Sequence, residues 1–167
     1  MLVAEKSVVM ADEKALRAQL AKFLEWEEAH VGFDTAVKGI APRLRGVVPD
    51  GWEYSAWQLV EHLRIAQADI LEFCVNPRYK AKKWPDDYWP KSPAPPSGAA
   101  WTRSIAEFRR DRKTFEHLAA DKKIDLLAAI PHGTAQTYLR EILLVADHTS
   151  YHVGQIVALR RQLGIWR

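Results

Sequence analysis

The chain has 167 residues, 48% hydrophobic and 27% charged, the composition of a folded globular domain with its own core rather than of a disordered segment. Its formal net charge is only +3, with 24 lysines and arginines dispersed among 21 acidic residues, so no nucleic-acid partner is expected. No apolar run approaches the roughly 18–20 residues that span a bilayer, and the one cysteine, Cys74, excludes an internal disulfide and a Cys-rich zinc motif.

These numbers point to a single domain, 1–167, soluble and cytoplasmic, without a membrane partner and without a signal peptide at Met1 to Lys6. Cys74, next to Phe73 on a helical face, reads as a buried, inert thiol. The first ten residues are expected as a frayed arm. From Asp12 the apolar spacing turns helical, with Leu16, Leu20, Phe23, Trp26, His30, Phe33, Val37 and Ile40 separated by threes and fours. Gly32 leaves open whether this is one long helix or two pieces, and Pro42 ends it. Arg43 to Gly51 reads as a loop containing a Pro49-Asp50-Gly51 turn.

The second helix has the clearest start: Ser55-Ala56-Trp57-Gln58 matches a capping box. Its inward face carries Trp57, Leu59, His62, Ile65, Ala66, Asp69, Ile70 and Phe73 until Asn76-Pro77 stops it. Residues 77–96 hold six of the nine prolines together with Tyr79, Trp84, Tyr88 and Trp89. Proline at that density forbids a regular helix, and the aromatics argue against a floppy linker. An ordered loop over the bundle is expected, a lid beside the site being favoured over simple end-capping.

A third helix from Ser97 or Gly98 buries Trp101, Ile105, Phe108, Phe115 and Leu118. Arg112 falls on the same stripe, its stem expected on apolar surface and its charge in water, with anion binding as the alternative. Residues 121–133 connect to a fourth helix, capped near Thr134 and stopped by Gly164. Its inward stripe reads Tyr138, Ile142, Val145, His148, His152, Ile156, Leu159 and Leu163. No strand-period segment and no internal repeat appears, so the fold class is all-α, a four-helix bundle with a long Pro/aromatic-rich loop between helices two and three.

Two of those core positions are histidines. His148 and His152 stand one turn apart on one face, and His62 takes a similar place on the second helix. An unpartnered buried imidazole costs about 1–3 kcal/mol, and three meeting in an apolar core would crowd their polar groups. A divalent metal resolves that, each lone pair ligating at about 2.0–2.1 Å. Thr149 and Ser150 follow His148 where the zinc-protease motif has Glu and any residue, so that chemistry is not indicated.

The blocks Trp57 to Gln67 and Ala146 to Gln155, with the helix order, the long loop and the chain length, resemble the DinB-like superfamily of helical-bundle metalloproteins. The resemblance implies a metal held by one histidine of the second helix and two of the late His-x-x-x-His, positions filled here by His62, His148 and His152. It implies zinc or nickel as the ion, and members with known chemistry include metal-dependent thiol S-transferases and a thiol-dependent isomerase. Three nitrogen ligands leave coordination positions open, the catalytic arrangement. The leading expectation is therefore an enzyme whose metal activates a water or a thiol for transfer or hydrolysis, acting on a small molecule, a low-molecular-weight thiol among the candidates. The alternative is a non-catalytic, metal-stabilised binding or stress-related protein.

Around the triad, Gln58 and Gln155 are candidates to orient a ligand or an imidazole. Asp69, two turns from His62, is placed to orient an imidazole or pair with an arginine. His30 is a candidate fourth ligand or acid–base group, Glu61 an exposed or interhelical partner, and His117 and His132 surface or loop residues. A homodimer is compatible with bundle faces of this kind, though no single stripe demands it.

Overall fold

The computed structural model describes the backbone of residues 2–166 and the side chains of residues 13–166. Among the described residues five α-helices follow one another: α1 (Leu2–Phe23), α2 (Phe33–Val37), α3 (Ala56–Val75), α4 (Gly98–Ala120) and α5 (Tyr138–Gln162), with a 3-10 turn at Pro42–Leu44. α3 packs against both α4 and α5, α1 against α4, and the short α2 against α5. No strand forms among the described residues; Ala129 and Thr137 share one isolated bridge. The protein is an all-helical bundle, and no described helix is long and apolar enough to cross a membrane.

The starts and stops follow local chemistry. Ser55 caps α3 by accepting from the Gln58 N–H, while the Gln58 side chain accepts from the Ser55 N–H, the complete capping box. Ser97 caps α4, and Gly164, just past the Leu163 cap of α5, has a φ of +68° that suits a residue without a Cβ. Gly51, at φ +79°, closes the turn in which the Trp52 N–H donates to the Pro49 carbonyl.

Three boundaries differ from the sequence reading. Residues 1–10, expected as an arm, are helical from Leu2. The first periodic run is two pieces, and the break falls at 24–32 rather than at Gly32 alone. The Glu25 and Trp26 amides turn back onto Lys22 and Phe23, and Glu27 accepts from the Gly32 N–H and the Thr35 hydroxyl at the start of α2. Apolar spacing survives the break because Leu24 and Phe33 both point inward from either side of it, into different core clusters. Finally, α5 starts at Tyr138, capped by Thr137, not near Thr134. Gln136 holds 134–137 out of the helix: its side-chain oxygen accepts from the Thr134 and Ala135 amides, and its carbonyl from the Ile130 N–H. Arg112 also differs. Its guanidinium stays largely buried, 2.9 Å from Asp34 and 3.4 Å from Glu25, instead of reaching water.

The core has two parts. One gathers Phe33, Trp57, Leu63, Phe108, Ile156 and Leu159, with Phe33 and Phe108 stacked at 4.0 Å. The other gathers Leu20, Phe115, Ile130, Ile142 and Val145. Contact order shows that α3 and α5 run antiparallel: the start of α3 shares a cluster with the end of α5, and Cys74 near the end of α3 packs with Ile142 near the start of α5. His62 on α3, and His148 and His152 on α5, lie at the junction between the two clusters. The loop after α3 is laid over this junction and pinned at several points. The Ser55 hydroxyl donates to the Pro93 carbonyl, Trp89 stacks on Tyr54 at 4.0 Å, and a Cβ on Gly46 would stand only 2.5 Å from that of Ala94.

Candidate metal centre

The capped register of α3 turns His62 inward, where it is 1% exposed, and the i, i+4 pair of α5 meets it from the facing helix. His152 is 6% exposed and His148 half-buried. One ring nitrogen from each of the three lies within 4.8 Å of the others, and the Nε2 atoms of His62 and His148 are 3.1 Å apart. The rings meet edge to face, centroids 4.5–5.0 Å apart.

The outer nitrogens are already engaged. His62 Nδ1 lies 2.9 Å from the Tyr88 carbonyl, which can only accept, so the proton sits on Nδ1 and the Nε2 lone pair faces the site. His152 Nδ1 donates in the same way to Gln155 Oε1 at 2.6 Å. Burial pushes all three imidazoles away from the cationic form. His62 falls to about 4, burial outweighing the Tyr88 hydrogen bond with His152 adding to the drop. His148 falls to about 3 through burial and its two histidine neighbours, and His152 falls through burial against the opposing Gln155 bond. Near neutral pH these are three neutral imidazoles.

Such a donor set fits a divalent ion. Two ligands about 2.0–2.1 Å from one metal, at angles between 90° and tetrahedral, stand roughly 2.9–3.4 Å apart. The His62–His148 separation of 3.1 Å falls inside that window. With the Nδ1 protons of His62 and His152 spent outward, their Nε2 atoms are left as bare lone pairs, which a cation satisfies and an apolar core does not. A buried cluster of His62, His148 and His152 can hold a metal ion.

The loop supplies the rest of the frame. Trp89 lies flat on the His62 ring, centroids 3.8 Å apart and planes 2° from parallel, with Tyr54 on its other face. Asp69 Oδ2 accepts from the Tyr79 hydroxyl at 3.1 Å and the Tyr88 hydroxyl at 2.6 Å. Burial and that carboxylate keep both phenols protonated, Tyr79 pushed up to about 12 and Tyr88 raised as well. Asp69 thus fixes the Tyr88 ring while the Tyr88 backbone fixes His62. Beside the triad, a cavity of about 450 Å³ runs from His62 and His148 to Asp69 and Glu141.

Of the residues singled out in the sequence, Gln155 reaches an imidazole and Asp69 reaches tyrosines instead. Gln58 is turned away into the cap of α3. His30 is not with the triad: it is exposed, 2.8 Å from the Val31 carbonyl, and lines a separate cavity with Thr149 and Ser150 on another face of α5. Glu61 pairs with Arg64 at 2.6 Å, which also reaches Glu107 of α4. His117 and His132 are exposed, and Cys74 is buried with its thiol pushed up to about 12, a poor nucleophile. Tyr88, Trp89 and Glu141 were not singled out for the site. The aromatic content of 77–96 was the signal for the first two; nothing in the helical spacing marked Glu141 beyond its place two turns before His148.

No curated protein and no solved structure matches the chain. Among protein families, the profile of the DinB superfamily matches residues 25–156, from just after α1 into α5 and across all three histidines. That span is well over half of the 167 residues, and it joins the all-helical architecture and the buried triad to one conclusion: the chain belongs to the DinB superfamily.

Proposed function

We infer that this protein is a metalloenzyme in which His62, His148 and His152 hold one divalent cation, zinc or nickel, through their Nε2 atoms. The observation that carries the reading is the cluster of three neutral imidazoles, two of which, His62 and His148, line a cavity of about 450 Å³, large enough for a small-molecule substrate. When bound, such an ion with coordination positions to spare supplies Lewis acidity, lowering the pKa of a water or thiol toward neutrality. A low-molecular-weight thiol is one co-substrate compatible with the reading, for transfer to an electrophile; hydrolysis is the other.

The chain's own groups prepare that chemistry. Tyr88 and Gln155 fix the imidazole tautomers, Trp89 shields the face of His62 from solvent, and Asp69 keeps Tyr88 in place. The test is turnover of a panel of thiols with alkyl halide or epoxide electrophiles, and of ester and amide substrates, by zinc- and nickel-loaded protein. Turnover that vanishes in His148→Ala and after chelation supports the reading; turnover that survives both refutes it.

A second reading is favoured by the position of the triad between the two core clusters, where an ion would tie α3 to α5. In that reading the metal stabilises the fold and the protein does not catalyse. It requires a large chelator-induced drop in Tm and no turnover across the panel.

A further inference from the structure

The cavity beside the triad has two chemically different ends. Asp69 follows His62 by seven residues on α3, and Glu141 precedes His148 by seven on α5. Because the two helices are antiparallel, both carboxylates lie at the same end, two turns or about 10 Å along the helices from the histidines. Both line the cavity, and both are nearly buried, Asp69 at 7% exposure and Glu141 at 2%.

Their partners leave them under-neutralised. The two tyrosine hydroxyls donate to the same oxygen of Asp69, Oδ2, and no other donor among the described residues reaches Oδ1. Glu141 is met on Oε1 by Arg140 at 2.6 Å, whose side chain is 56% exposed and also lines the cavity. Two carboxylates against one guanidinium leave the formal charge of this end negative. Around it stand aromatic rings: Phe73 edge to face with Tyr79, and Trp84 against Tyr88, each pair 5.3 Å between centroids. Trp84 is 68% exposed at the rim. Aromatic faces combined with buried carboxylates make a receptor for an ammonium ion, since both the ring quadrupoles and the carboxylates attract a cation while the rings remove it from water.

We propose that this cavity takes a small molecule carrying an ammonium group, primary or quaternary, seated between Asp69 and Glu141 with the rest of the molecule extending toward His62 and His148. That the histidine end is the reacting end rests on the metalloenzyme reading above; the ammonium end stands on the carboxylates and rings alone. A cation seated about 10 Å from the triad is also far enough from a bound divalent ion for solvent and the intervening phenols to screen their repulsion.

The test uses choline and its neutral isostere 3,3-dimethylbutan-1-ol as probes, titrated by ligand-observed NMR into the full chain, once zinc-loaded and once after chelation. Choline is expected to bind about tenfold or more tightly than the alcohol, the size of a desolvated cation–π and carboxylate contact. Glu141→Gln and Trp84→Ala should each reduce that preference severalfold. The Trp84 variant alters an exposed side chain, so it reports even if the buried Glu141 substitution perturbs folding. Equal binding of the two probes, binding of neither, or a preference untouched in Trp84→Ala would overturn the proposal. A choline preference in a chain that takes up no zinc would keep the ammonium site and remove the metalloenzyme reading; zinc uptake without the preference would do the reverse.

Discussion

Trp89→Ala separates shielding from geometry at the triad. The indole is sandwiched between His62, 3.8 Å away and parallel, and Tyr54, 4.0 Å away. Each such contact is worth about 0.5–1.5 kcal/mol beyond area burial, so the variant should lose at least roughly 1–3 kcal/mol of unfolding free energy in urea, with the lost burial added to it. The second consequence is electrostatic. Burial holds His62 at about 4, below its ordinary 6.5. Opening its face to water lets it return toward 6.5. At about pH 6 a full return would raise the protonated share of His62 from roughly 1% to about 75%, so proton competition would weaken zinc binding by at most about fourfold. At about pH 8 a histidine with either pKa is almost wholly neutral, so affinity should hardly change. Zinc dissociation constants measured against a competing chelator at the two pH values check this. A loss of affinity equal at both would show that Trp89 acts by holding the ring's position, and unchanged stability would refute the stacking argument altogether.

Without metal, the protein should lose stability as pH falls from about 6.5 toward 3. The folded-state values of about 4 for His62 and about 3 for His148 lie below the unfolded value of 6.5, so the unfolded chain takes up protons first. The stability present above 6.5 is drained on the way down, and urea midpoints across that range measure it; a flat profile contradicts the burial of neutral imidazoles. Phe108→Ala should cost about 3–5 kcal/mol, since it empties a fully buried site stacked on Phe33, and equilibrium unfolding reads it directly. Cys74, buried and pushed up to about 12, should resist iodoacetamide in the native protein near pH 8 and react only on unfolding, as mass spectrometry would show.

The helices were readable where the signal was local. The Ser55–Gln58 box, the Ser97 cap and Gly164 act within one turn of their own positions, and each marks its boundary in the structure. The histidine register was legible for the same reason: a fixed period of 3.6 puts His148 and His152 on one face, and apolar neighbours decide which face is buried. Boundaries set by distant partners were not. The cap of the last helix reads near Thr134 in the sequence, and the bond from the Ile130 N–H to the Gln136 carbonyl holds that stretch out of the helix and leaves the cap to Thr137. His30 shares the apolar spacing of the first run, but the chain leaves the helix at Phe23 and carries it to another face of α5. Tyr88 and Trp89 reach His62 from a loop whose path no periodicity describes. A carboxylate two turns from a histidine suggested a direct bond for Asp69; the tyrosines that intercept it come from that same loop.

The central claim is that three imidazoles ligate one ion through Nε2. X-ray absorption spectroscopy on zinc-loaded protein tests it most directly, with His148→Ala alongside. The account predicts a first shell containing three imidazole nitrogens at about 2.0–2.1 Å, plus one or more light-atom ligands from solvent, and loss of one imidazole in the variant. A shell with fewer than three imidazoles in the unaltered protein, or one unchanged by the substitution, would contradict it.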